Sequence, residues 1–123
     1  MVREAALIGA ALILAGCAPE WQTRAEDAVR QKLDDPYSAK FDSIEKCKPA
    51  GLVSGSVNAK NGFGAYVGST PFIVKGLSVY FPDTVGPFPD EPLEEQFFYR
   101  LRRYCLGTGP AITIQSYAAE HGA

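Results

Sequence analysis

Three cysteines and a single histidine carry most of the covalent chemistry open to this 123-residue chain. A catalytic thiol needs an imidazole held beside it to take its proton. The one imidazole is His121, in Glu120-His121-Gly122-Ala123, where chain ends usually fray. The carboxylate pairs Asp34-Asp35 and Glu94-Glu95 are adjacent in sequence, so on a helix their members do not face one another as an acid–base pair must. Gly62-Phe63-Gly64-Ala65-Tyr66-Val67-Gly68 is rich in glycine, but no helix start follows it to cradle a phosphate, and turn glycines explain it. No grouping of His, Cys, Asp or Glu has metal-ligand spacing. The sequence therefore predicts no catalytic residue, no metal and no cofactor.

Cys17 points to different chemistry. The segment 5–14 (AALIGAALIL) is uncharged and, at ~1.5 Å per helical residue, reaches only about half of a ~30 Å hydrocarbon core. That length suits the apolar region of an export signal, and small residues follow it. Leu14-Ala15-Gly16-Cys17 resembles the lipobox of bacterial lipoproteins, in which the cysteine receives a diacylglyceryl group and becomes the first residue of the mature chain. The resemblance implies that residues 1–16 are a signal peptide, that Cys17 is lipidated, and that 17–123 form the mature domain. More than one acyl chain gives stable membrane anchoring. Ala18 stands where an aspartate would favour inner-membrane retention, so the resemblance implies an outer-membrane anchor facing the periplasm, with an inner-membrane anchor as the alternative. Cys47 and Cys105 then remain, in a compartment that permits disulfides. Within one chain they pair only with each other, closing a loop worth roughly 4 kcal/mol. Two unpaired buried thiols, or a reactive cysteine, are the alternative readings of these positions.

The chain is 46% hydrophobic and 21% charged with a net charge of −2, which fits one small domain and lacks the basic footprint of a nucleic-acid binder. The elements predict an α+β fold: an N-terminal helix, a small antiparallel sheet of three to five strands, and a C-terminal helix packed on it. Trp21, Ala25, Ala28, Val29 and Leu33 line one face of a helix over 21–33, stopped by Asp34-Asp35-Pro36. Strands are expected at 39–45, 52–60, 64–68 and 72–81. In the second, Val53, Gly55, Val57 and Ala59 alternate with Ser54, Ser56, Asn58 and Lys60, predicting one buried face and one wet face. Asn61-Gly62 predicts a two-residue hairpin turn joining 52–60 to 63–68. The run 72–81 is apolar on both faces for part of its length, as in a central strand or one covered by a helix. After a Pro- and Gly-rich loop over 82–92, a second helix is expected with Asp90 or Glu91 as cap. Its stripe would be Leu93, Phe97, Leu101 and Cys105, with Gly107 as its stop. Arg100, Arg102 and Arg103 suit the carboxyl end of that helix, with contact to anionic lipid headgroups as the alternative. A last edge strand is expected over 111–115.

A second resemblance covers the middle of the chain. Asp35-Pro36-Tyr37-Ser38-Ala39-Lys40-Phe41 together with 55–68 (GSVNAKNGFGAYVG) is similar to a motif pair in short exported proteins of bacteria and their phages. That likeness implies an α+β fold and no particular activity. Within the second motif, Asn58, Lys60, Asn61, Phe63 and Tyr66 form a candidate interaction tip, since aromatic anchors beside adaptable amides recur in protein recognition. The alternative is that Phe63 and Tyr66 complete the core. The expected function is a membrane-anchored, non-enzymatic lipoprotein whose periplasmic domain binds an envelope protein, as a complex subunit, an inhibitor or a phage exclusion factor. A small envelope hydrolase acting on peptidoglycan or lipid is the second reading.

Overall fold

The computed structural model describes residues 18–82 and 92–121. The expected signal segment and Cys17, and the loop 83–91 with its candidate caps Asp90 and Glu91, lie outside the described residues. Helix α1 spans Glu20–Arg30, strands β1 Lys40–Lys46, β2 Leu52–Asn58, β3 Thr70–Lys75 and β4 Ser78–Tyr80 follow, and helices α2 Phe97–Leu106 and α3 Ile114–Glu120 close the chain. The strands form one antiparallel sheet in the order β1-β2-β3-β4. With α1 on one face and α2 on the other, the fold is α+β.

Alternation along the strands sorts side chains into two cores. Val57, Phe72 and Val74 meet Ala25, Ala28 and Val29 of α1, and Phe41, Ile44 and Val53 pack against them. On the opposite face Leu52 and Ile73 meet Phe97, Phe98, Leu101 and Cys105 of α2, with Ile112 and Tyr117 completing the cluster. Thus β3 is buried from both sides, as its apolar run predicts. Part of the β2 face expected to be wet lies instead beside α2, where half-buried Ser54 and Ser56 border, with Phe98 and Arg102, a cavity of about 200 Å³.

Helix α1 holds together through charge pairs at one-turn spacing, Arg24 with Glu20 and Arg30 with Glu26 and Asp27. Between Asp42 and Glu45 the register of β1 shifts in a bulge, where Ser43 has φ 56°. Helix α2 ends as predicted at Gly107, whose φ of 79° lets the Gly107 N–H donate to Tyr104 O and the Thr108 N–H to Arg103 O. Cys47, just past β1, is disulfide-bonded to Cys105 of α2.

Four further expectations about the elements need correction. The run 72–81 is two strands, because Gly76 takes φ 62° and the pair Gly76-Leu77 turns the chain back, Lys75 facing Ser78. No strand forms over 64–68, which meets the sheet end only through a bridge between Lys60 and Tyr66. The partner of β2 there is β3, which brings three buried apolar residues to the pairing. Helix α2 starts at Phe97, after a short 3₁₀ turn at Leu93–Glu95, rather than near Pro92. Finally, 111–115 is no edge strand: Thr113 caps α3, its hydroxyl accepting from the Ser116 N–H while Ser116 Oγ accepts from the Thr113 N–H.

Candidate functional site

The antiparallel order gives the sheet two chemically different ends. At one end lie the termini of β1 and β3, the starts of β2 and β4, and the start of α1. The other end gathers 36–39 and 59–69. A seven-residue strand separates them by roughly 20 Å, at about 3.3 Å per residue.

Ser38 organises the second end. Its hydroxyl donates to Asp35 O and accepts the Lys60 N–H, both at 2.8 Å, and its carbonyl accepts from Tyr66 Oη at 3.1 Å. The two motif segments, separate in sequence, are therefore one local structure. Tyr66 lies under two amines, Lys40 Nζ 4.5 Å and Lys60 Nζ 5.6 Å from its ring centroid. Asn61 Oδ1 accepts from the N–H groups of Phe63 and Ala65, and its carbonyl accepts from Gly64 at 3.0 Å. Gly64 and Gly68, not Gly62, take positive φ. Asn61-Gly62 thus turns the chain through an Asx arrangement with Asn61 leading, rather than as the two-residue hairpin expected. Asn58 Oδ1 accepts from the Gly68 N–H.

Asn58, Lys60, Asn61, Phe63 and Tyr66 do come together, but in divided roles. The two amides are turned inward as acceptors that shape the loop, and Tyr66 is pinned by Ser38 and the lysines. Phe63 is 97% exposed, so it does not complete the core. Tyr37, in the turn that Ser38 ties to Lys60 and Tyr66, is 99% exposed. Sequence reasoning passed over Tyr37 although it sits in the first motif; the signal was an aromatic directly after Pro36 in a turn.

The other end holds a groove of about 540 Å³, bordered by Trp21, Arg24, Lys46, Lys48 and apolar residues of the sheet. Lys46 Nζ stands 5.2 Å above the Trp21 ring. The Lys48 N–H donates to Cys105 O at 2.8 Å beside the disulfide. The sequence hint was the run Lys46-Cys47-Lys48 together with the chain's one tryptophan.

The remaining candidates are accounted for locally. With Cys47 and Cys105 bonded, neither is a nucleophile. His121 Nδ1 lies 2.8 Å from Tyr117 O at the end of α3. The Arg100 guanidinium donates to Glu120 at 2.6 Å, which holds the Glu120 carboxyl below its ordinary value and raises Arg100. Arg103 donates to Glu94 O. Among the described residues no group of three or more His, Cys, Asp or Glu is placed to hold a metal ion, and no helix is long and apolar enough to cross a membrane. No family model, curated protein or solved structure matches this chain.

Proposed function

We propose that the chain is an exported lipoprotein, anchored through acylated Cys17 in the outer membrane and facing the periplasm, whose domain binds an envelope protein through its aromatic tip without catalysing a reaction. One observation carries the reading: two aromatic rings, Tyr37 and Phe63, stand almost fully exposed at the end of the sheet opposite the start of α1. Only Ala18 and Pro19 separate Cys17 from that helix, so an anchor at Cys17 directs the tip away from the bilayer. The disulfide fits an oxidising compartment, and the lipobox and the paired motifs are consistent with export. Exposed aromatic side chains held on a rigid loop suit a protein interface, where such anchors carry most of the binding energy.

The test is in two parts. Mass analysis of the native N-terminus should find a diacylated Cys17 with 1–16 removed; an unmodified full-length chain rejects the anchor. A photo-crosslinking residue at position 63, in intact cells, should capture one envelope protein, and Tyr37→Ala should abolish the adduct without altering the fold. Recovery of lipid alone rejects the protein partner.

A further inference from the structure

The groove beside the start of α1 sets an apolar lining against a cationic border. Its lining is largely apolar, with half-buried Pro49 and Val53 beside Ala25 and Val74 of the α1-face core. Its charged border is entirely cationic, with Arg24, Lys46 and Lys48 and no Asp or Glu among the lining residues. Arg24 is matched by Glu20, but among the described residues neither Lys46 nor Lys48 is in an ion pair. Trp21 closes one side, its indole beneath the Lys46 amine. Leu77, 82% exposed at the tip of the β3–β4 turn, projects at the same end of the sheet.

We propose that this groove seats the phosphodiester headgroup of an anionic membrane lipid, the phosphate at Lys46 and Lys48 and the glycerol and first methylenes against Trp21 and the apolar lining. Charge complementarity selects an anion, and the lining selects an amphiphile over a bare ion. The choice of a membrane lipid rests on the anchor reading above: with Cys17 acylated, the two intervening residues hold the groove within about 10 Å of the headgroups. Tryptophan and snorkelling lysines are suited to that interface. Bound there, the lipid fixes the tilt of the domain as well as its attachment, because the groove lies on the same end as the anchor.

Trp21 is the chain's one tryptophan and therefore reports on this groove alone. The processed chain is reconstituted into vesicles of phosphatidylcholine, with and without phosphatidylglycerol, and its emission recorded. The expected result is a blue shift that saturates with phosphatidylglycerol fraction and does not occur in phosphatidylcholine. Lys46→Gln with Lys48→Gln should weaken that response roughly thirtyfold, at about fivefold per cation near an anionic surface. Lys32→Gln, on the far side of the domain, should leave it unchanged. Identical emission in both vesicles overturns the proposal, as does a shift reproduced by inorganic phosphate in phosphatidylcholine vesicles, which would make the ligand a free anion. If the chain does not stay on phosphatidylcholine and its N-terminus is bare, the anchor reading fails separately. The groove is then judged by whether phosphatidylglycerol vesicles alone bind the chain and shift Trp21.

Discussion

Gly55 in the middle of β2 is the position where one methyl group should do most harm. A Cβ built there would lie 2.6 Å from Ile44 Cδ1 and 2.8 Å from Phe72 Cζ, well inside contact distance. Ile44 Cδ1 is the far end of a half-buried side chain and can turn aside, but the Phe72 ring is 1% exposed, packed edge-on to Phe41 with centroids 6.1 Å apart. Overpacking of this kind costs about 1–3 kcal/mol, partly offset by the ~0.5–1 kcal/mol gained when alanine replaces glycine in the unfolded chain. Gly55→Ala should therefore destabilise by about 1–2 kcal/mol and lower Tm by roughly 5–10 °C. Thermal and urea unfolding followed by Trp21 emission measures this directly. Adding Ile44→Val, which removes Cδ1, should recover part of the loss, a coupling that a double-mutant cycle isolates. A Gly55→Ala protein as stable as the parent, or a cycle with no coupling, would refute the packing described for the α1 face.

Removing the disulfide with Cys47→Ala and Cys105→Ala should cost about 4 kcal/mol by the loop-entropy relation for residues 58 apart, a large share of the ~5–15 kcal/mol expected of a small domain; a loss under 1 kcal/mol in denaturant titration would contradict it. The Arg100–Glu120 contact gives α3 an acid limb. Because hydrogen bonding to Arg100 depresses the Glu120 carboxyl in the folded state, its contribution is complete above the ordinary carboxylate value and is lost as pH falls through the folded one. Protection factors in α3, corrected for the intrinsic exchange rate, should thus fall as pH drops below the ordinary carboxylate value, and Glu120→Gln should flatten that dependence; equal profiles for the two proteins would rule it out.

Much of the fold was legible because its signals are local. The spacing of Ala25, Ala28 and Val29 marks α1, and Gly107 marks the end of α2. Cys47 and Cys105 pair, which is one of the readings the sequence leaves open. What failed did so where tertiary context decides. Leu77 hides the turn after Gly76, since an apolar residue prolongs the strand pattern although its side chain meets solvent. Ile112-Thr113-Ile114 reads as alternating β-branched strand, yet Ile112 goes into the core and Thr113 serves as a helix cap. Asn61-Gly62 carries the composition of a hairpin turn, but Asn61 uses its side chain to shape the loop and Gly62 needs no special backbone. Ser54 and Ser56 look solvent-facing because the sequence does not reveal that α2 returns beside them. The exposed aromatic end was legible only in part, since it takes the hydrogen bonds of Ser38 to tie the turn carrying Tyr37 to Lys60 and Tyr66, and the groove draws on α1, β1, the 47–51 turn and β3 at once.

The bulge at Ser43 bears on what happens when many copies crowd together. Strand β1 is an outer strand, and a regular one of that length would offer its unpaired amides and carbonyls to any neighbour. The register shift at Asp42/Glu45, with charged Lys40, Asp42, Glu45 and Lys46 exposed along the strand, spoils that template. The opposite rim, β4, has three residues and runs into Phe81-Pro82, too short to recruit a partner. Both rims are thus blunted against the edge-to-edge strand pairing that would otherwise string crowded domains into one continuous sheet.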